Sequence, residues 1–316
     1  MTPYKIAVLD DYQNVAKSFA DWTPILEYAD LEVFSDHLHH TDELVNRLLP
    51  FDIICVMRER TPLTAEVFSR LTNLKLVVST GLRNLSIDTE AASKLGIEVI
   101  NTGYMDHGAL EHTWALLMAI AKHIPQENAS LRSGGWQTLV GNDLRGKTLG
   151  ILGLGNLGLK IAKVAQVFDM NVIAWSQNLT PEKAVANGVK YVDKETLFRE
   201  SDYLTILMVL SERSKGIVSA KDLDSMKPTA YIINTSRGPL TDEDALIKVL
   251  TEKRIAGAAI DVFDKEPLDE SHPFRNLPNV LATPHIGFVT HDTYKLFFTD
   301  TVKILLSWLS SATKNK

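Results

Sequence analysis

The chain has 316 residues, 45% of them hydrophobic and 23% charged, with a formal net charge of -6. That length suggests two domains, and the composition is that of an ordinary soluble globular protein. The acidic balance argues against a nucleic-acid-binding surface, and the longest apolar runs are too short to span a bilayer. The opening MTPYKIAVLDDY lacks the basic segment and apolar core of a signal peptide. The single cysteine, Cys55, allows no disulfide within the chain, so a reducing cytoplasm is the expected location. Cys55 lies in the run FDIICVM, where a small buried strand residue is a better reading than a nucleophile.

The first hundred residues alternate strand and helix signals. KIAVLD, LEVF, FDIICVM, LKLVVS and IEVI read as short strands rich in β-branched residues. TDELVNRLL and TAEVFSRLT read as helices, with Thr41 and Thr64 as expected N-caps. Between those helices and the preceding strands, the histidines His37, His39 and His40 read as a solvated loop rather than a metal site. A long helix follows, from about Gly108 to Ile124 and closed by Pro125, with Leu110, Trp114, Met118 and Ala121 spaced along one face. Ser133-Gly134-Gly135-Trp136 then breaks the pattern. A second α/β series begins at Lys147, with TLGILGLG, NVIAW, YLTILMVL, AYIIN, IAGAAIDVF and NVLAT as six strand candidates. Alternating strands and helices imply parallel sheets with right-handed crossovers. A final apolar-rich helix is expected over 293–310.

Gly153-Leu154-Gly155-Asn156-Leu157-Gly158 follows the strand TLGIL and opens a helix. That is the context a GxGxxG turn needs before it reads as a dinucleotide site rather than a turn with incidental glycines. Gly153 makes the tight turn, Gly155 lets backbone approach a pyrophosphate, and Gly158 permits close helix packing. The amides of Asn156 and Leu157 then face the phosphates from the helix N-terminus. The next strand, NVIAW, ends in Ser176-Gln177-Asn178 rather than in an acid that would grip an adenosine ribose. No arginine stands there to claim the phosphate of NADP, so either NAD or NADP fits. Lys183 reads as a solvated helix charge.

Arg237, Glu266 and His285 each stand just past a predicted buried strand, where ligands bind in an open parallel sheet. An imidazole with an ordinary pKa near ~6.5 can take the hydroxyl proton during alcohol oxidation and return it during ketone reduction. A carboxylate orients that imidazole and stabilises its protonated form; Asp264, Asp269 and Glu270 compete with Glu266 for this role. A guanidinium forks onto a substrate carboxylate better than an ammonium does. The set suits hydride and proton transfer to or from a 2-hydroxy acid. His107 and His112, five apart on the long helix, are assigned no metal.

LRGKTLGILGLGNLG, NTSRGPLTDEDAL, GAAIDVFDKEPL and TPHIG together resemble the D-isomer-specific 2-hydroxyacid dehydrogenases over essentially the whole chain. The resemblance implies two doubly wound parallel-sheet α/β domains. A Rossmann NAD(P)-binding domain (102–286) is inserted into a flavodoxin-like substrate domain (1–101 and 287–316). It implies Arg237, Glu266 and His285 as the catalytic set, and it favours Glu266 over the neighbouring acids. Formate dehydrogenases carry glutamine there, so a glutamate points to hydroxy- or keto-acid chemistry. The cofactor set implied is Gly153, Gly155, Asn156, Leu157, Gly158, Ser176, Gln177, Thr235, Ser236, Asp261 and Gly287, with Asp261 at the nicotinamide carboxamide. STGLRNLSID resembles a turn whose amides bind substrate carboxylate, which makes Gly81, Leu82 and Arg83 substrate contacts beside Arg237 and His285. Phe288 replaces a small residue and is expected either to narrow the pocket or to pack in the core. Met208-Val209-Leu210 replaces a histidine–proline pair. The family also implies a homodimer, with the stretch around Trp114–Trp136 as the interface. Two alternatives stay open. One is a dinucleotide-sensing, corepressor-like scaffold. The other is phosphoglycerate dehydrogenase, ranked lower because no separate regulatory domain or extra basic cluster is evident.

Overall fold

The computed structural model describes residues 3–314. Two compact units divide the chain, one formed by residues up to 105 together with those from 290 onward, the other by residues 106–289. No described helix is long and apolar enough to cross a membrane.

In the first unit, β1 (Tyr4–Val8), β2 (Ala29–Val33), β3 (Ile53–Val56), β4 (Leu76–Ser79) and β5 (Glu98–Asn101) form a parallel sheet ordered β2-β1-β3-β4-β5. This is the flavodoxin-like order. All residues of β3 and β4 are buried, which is why IICV and LVVS read as continuous apolar runs rather than alternating ones. Cys55 lies in β3 and burial pushes its thiol pKa up, so it is an unreactive packing residue. Thr64 caps the helix Ala65–Arg70 by accepting from the Val67 amide. Thr41 does not cap: it is the first residue of the helix Thr41–Leu48, and His40 stands at the cap without a side-chain bond. Asp42 and Glu43 in that helix's first turn complement its dipole instead. His37 is not solvated. Its Nδ1 lies 2.9 Å from Oδ1 of Asp10, whose side chain is 1% exposed and also accepts from Thr61 Oγ1 at 2.6 Å. A carboxylate this buried needs partners, and His37 supplies one. The last helix, His291–Lys314, is longer than expected and buries Phe297, Phe298, Leu305 and Leu309.

The second unit holds β6 (Thr148–Leu152), β7 (Asn171–Trp175), β8 (Lys190–Tyr191), β9 (Tyr203–Ile206), β10 (Tyr231–Asn234), β11 (Gly257–Ile260) and β12 (Val280–Ala282). All run parallel, in the order β12-β11-β10-β9-β6-β7-β8. The seventh strand, β8, is two residues long, too short to leave a periodic signal in the sequence. The long helix spans His107–Ala121 and turns Trp114 and Ala121 into the core, with Leu110 and Met118 packed at its edge. Pro125 does not close that helix. The break comes at His123, whose φ is +51°, and Pro125 sits in the first turn of the next helix, Ile124–Arg132, where a missing N–H costs nothing.

The chain winds outward from β6 to β7 and β8, then returns to β9 on the other side of β6. The strand order therefore reverses between β6 and β9, where open α/β sheets bind ligands. Strands β10, β11 and β12 are neighbours, so the loops leaving their carboxyl ends are brought together.

Candidate active site

The turn after β6 has the shape that its glycines require. Gly153 has φ +108°, and a Cβ there would fall 2.7 Å from the Leu207 carbonyl oxygen and 2.9 Å from Met208 Cγ. Met208 thus packs directly against the turn. A Cβ on Gly158 would fall 2.4 Å from the Gly153 oxygen, so the helix Asn156–Val167 rests on the turn itself. Around Gly155 the space is open: a Cβ would meet nothing within 4 Å. Gly155 and Asn156 are exposed and Leu157 is partly so, at the end of a helix where amides lack intrahelical acceptors. This open, amide-lined end fits a dinucleotide pyrophosphate. At the end of β7, Ser176 is half-buried. Gln177 is exposed and donates from Nε2 to the Arg213 carbonyl at 3.2 Å.

Arg237 leaves β10 through a turn shaped by Asn234. This side chain, 4% exposed, donates to the Arg237 carbonyl at 3.0 Å and accepts from the Ser236 amide at 3.1 Å. Arg237 Nη1 donates to the Ser236 carbonyl at 2.6 Å. The hydroxyls of the two preceding residues are engaged within the protein. Ser236 Oγ donates to the Ile206 carbonyl at 2.9 Å, and Thr235 Oγ1 lies 2.7 Å from Thr113 Oγ1.

Glu266 and His285 form a pair, with Oε2 2.5 Å from the imidazole Nδ1. The other carboxylate oxygen accepts from the Phe263 amide at 2.9 Å, which fixes the carboxylate plane. A carboxylate beside Nδ1 makes that nitrogen the donor, so Nε2 is the nitrogen left for proton exchange. The His285 and Glu266 side chains are 21% and 28% exposed, open enough to meet a ligand. His285 itself has φ +51°, a left-handed conformation unusual for a non-glycine residue. Phe288 is buried and packs edge-on against the imidazole, with ring centroids 5.5 Å apart at 85°.

Asp261, at the end of β11, holds the backbone on both sides of His285. Its Oδ1 accepts from Thr283 Oγ1 at 2.6 Å and the Ile286 amide at 2.9 Å, and its Oδ2 accepts from the Gly287 amide at 2.9 Å. Nε2 of His112 stands 3.1 Å from both Asp261 Oδ1 and Thr283 Oγ1. Burial pushes the Asp261 pKa up, but the bonds from His112 and Thr283 outweigh it and hold the carboxyl below its ordinary value. Sequence reasoning weighed His112 only as a metal ligand and passed over Thr113, Asn234 and Thr283. The signal for two of them was present: His112 and Thr113 follow Glu111 as polar residues on a helix that continues as the apolar run WALLM. Among the described residues, no group of three or more His, Cys, Asp or Glu could hold a metal.

In the first unit, Gly81 has φ +86°, a left-handed conformation that favours glycine, and the end of the flexible Arg58 side chain lies over it, with Nη1 1.8 Å from where a Cβ would fall. Its amide donates to Thr102 Oγ1 at 2.8 Å and is already engaged. The amides of Leu82 and Arg83 donate to no protein group among the described residues, and both side chains are exposed.

The family model for D-isomer specific 2-hydroxyacid dehydrogenase, NAD binding domain, matches residues 114–287. The chain belongs to the D-isomer specific 2-hydroxyacid dehydrogenases. As a member it is an oxidoreductase acting on a CH–OH group, with NAD or NADP as its cofactor. This dehydrogenase is 35% identical over 300 residues to hydroxypyruvate reductase of Thermotoga maritima, an alignment covering 93% of this chain and 95% of that one. It is 40% identical over 237 residues to glyoxylate reductase of Thermococcus litoralis, covering 72% and 71% of the two chains. The crystal structure of phosphoglycerate oxidoreductase from Vibrio cholerae O395 superposes with a TM-score of 0.92 at 35% identity, covering 98% of this chain and 99% of that one. The dehydrogenase spans about half the length of phosphoglycerate dehydrogenases that it matches, 48% and 45% in two cases.

Proposed function

We propose that this dehydrogenase interconverts a small D-2-hydroxy acid and its 2-keto acid, with His285 as the acid–base group, Glu266 as its partner and Arg237 as the carboxylate anchor. The observation that carries the reading is the 2.5 Å contact between His285 Nδ1 and Glu266 Oε2, which leaves Nε2 to exchange a proton. A bound nicotinamide supplies the hydride in one direction and accepts it in the other. His285 Nε2 gives its proton to the oxygen on C2 as the keto acid is reduced and takes it back on oxidation. Glu266 fixes the ring plane and keeps the proton on Nδ1. Arg237, on the neighbouring strand's loop, offers a fork to the carboxylate of the substrate. Gly153, Gly155, Asn156, Leu157 and Gly158 would hold the pyrophosphate. Ser176 and Gln177 would flank the adenosine ribose. Thr235, Ser236 and Gly287 would line the nicotinamide through backbone carbonyls and packing, since their hydroxyls and the Gly287 amide are bonded within the protein. Asp261 would face the carboxamide only with the lone pairs left over from its four internal bonds. The free amides of Leu82 and Arg83 are the anion donors we assign to the first unit.

Similarity along almost the full length of hydroxypyruvate reductase supports a small, polar keto acid as substrate. The test is a reductase assay crossing NADH and NADPH with glyoxylate, hydroxypyruvate, pyruvate and bulkier keto acids. Turnover is expected on the small members. Dinucleotide binding with no turnover on any member would favour the scaffold reading.

We further propose a homodimer formed through the second unit. Trp114, at the start of the expected interface stretch, is buried, but Leu131, Trp136, Leu139 and Val140 are 57%, 75%, 48% and 91% exposed, apolar side chains that association would cover. Light scattering on purified protein, and on a Trp136→Glu variant, tests it: a wild type that runs as a monomer overturns it.

A further inference from the structure

We propose that Arg213 selects a dinucleotide carrying a 2′-phosphate, so that this dehydrogenase prefers NADPH to NADH. The inference rests on the dinucleotide reading of the Gly153–Gly158 turn and carries it to the question that the end of β7 leaves open.

The strand end where ribose selectivity is normally set holds Ser176, Gln177 and Asn178, with no carboxylate to repel a phosphate and no cation to bind one. The side chain of Gln177 does not reach outward for a ligand. It donates to the backbone carbonyl of Arg213 at 3.2 Å, which ties the loop after β9 to the turn after β7. That loop is a built turn rather than a loose one. Ser214, 2% exposed, accepts from the Ser211 amide at 2.8 Å through its hydroxyl and donates to the Val209 carbonyl at 2.7 Å. The Ser214 and Lys215 amides both donate to the Ser211 carbonyl at 2.9 Å.

Arg213 therefore has a fixed backbone beside Ser176–Asn178 and an exposed side chain that forms no salt bridge among the described residues. A guanidinium supplies the planar, permanently charged fork that phosphate recognition uses. The charge missing from the usual strand end is thus supplied from the adjacent loop. Glu212 is the neighbouring acid, but its own backbone makes no bond to the 176–178 turn, and it serves as the control position.

The experiment measures binding of NADPH, NADH, 2′,5′-ADP and 5′-AMP by calorimetry to wild type, Arg213→Ala and Glu212→Gln. Wild type is expected to bind NADPH and 2′,5′-ADP more tightly than NADH and 5′-AMP, with the NADPH preference weakening as salt is raised. Arg213→Ala is expected to weaken NADPH and 2′,5′-ADP about 10- to 100-fold, as for loss of a charge-assisted bond, and to leave NADH within about twofold. Glu212→Gln should preserve the preference. Equal affinities for NADH and NADPH in wild type, or unchanged NADPH binding in Arg213→Ala, overturn the proposal while leaving the dinucleotide reading intact. Binding of neither dinucleotide overturns both.

Discussion

A Cβ placed on Gly238 would lie 2.1 Å from the carbonyl carbon of Phe263 and 2.2 Å from its oxygen. That approach presses the turn bearing Arg237 against the loop whose Phe263 amide holds Glu266. The spacing of the proposed anchor and the proposed acid–base pair is therefore set by the absence of a side chain. Gly238→Ala is expected to destabilise the fold by about 1–3 kcal/mol through overpacking against rigid backbone, and to lower kcat/KM in whatever folds. Gly155→Ala is the contrast, since the space around it is open. Chemical denaturation should show it near wild-type stability while dinucleotide affinity falls. Equal stabilities for the two variants would contradict this division of labour.

His285→Gln keeps a polar side chain beside Glu266 but cannot exchange a proton at the position of Nε2. Turnover should fall roughly 10²–10⁴-fold, the usual span for a lost acid–base group. Dinucleotide binding should hardly change, because the glycine turn lies on a different strand end. Near-normal turnover in this variant would refute the assignment of His285.

Arg237→Lys tests whether the fork matters beyond its charge. Loss of one charge-assisted hydrogen bond corresponds to about 1.5–3 kcal/mol, or roughly ten- to a hundredfold in kcat/KM on a 2-keto acid. Saturation kinetics on the substrate identified by the panel would check this, and an unchanged kcat/KM would show that the positive charge at 237 suffices without the fork.

Most of the architecture was legible because buried parallel strands announce themselves as apolar runs, and because GxGxxG after a strand has one main structural use. Arg237, Glu266 and His285 could be read as a set because each follows an apolar run and the sheet order places those runs side by side, although β12 before His285 is a half-buried edge strand and not the buried strand expected. What escaped was long-range or backbone-borne. His112 reaches Thr283 across 171 residues, a pairing that no local pattern encodes. The need for glycine at 238 comes from the Phe263 backbone packed against it, a contact between two loops that no local pattern encodes. Thr41 and Pro125 were misplaced by a few residues because caps depend on backbone angles, and His123 takes a positive φ that its residue type does not advertise. The Gly81 amide is another such case. The sequence points to the right turn, but only the fold shows that Thr102 already occupies that donor.

Asp261 carries a pH dependence whose sign follows from its bonds. Its folded pKa lies below the ordinary 3.8 because the donors from His112, Thr283 and the Ile286 amide outweigh the cost of burial. A depressed carboxyl contributes stability in full above its unfolded pKa and loses it as pH falls through the folded value. Asp261→Asn keeps the shape but turns an amide N–H₂ toward a donor, leaving a buried group unpaired at a cost of about 1–3 kcal/mol at neutral pH. The stability gap between wild type and variant should therefore be wide near pH 7, begin to shrink below about pH 3.8 where the unfolded carboxyl protonates, and close as pH falls through the lower folded value. Urea unfolding of both proteins at pH 7 and at pH 3 measures it. Because Asp261 fixes the Ile286 and Gly287 amides on the far side of His285, the same substitution should also lower kcat. A gap independent of pH would mean that the carboxylate charge does not hold this loop, and that the left-handed backbone of His285 is maintained by packing against Phe288 instead.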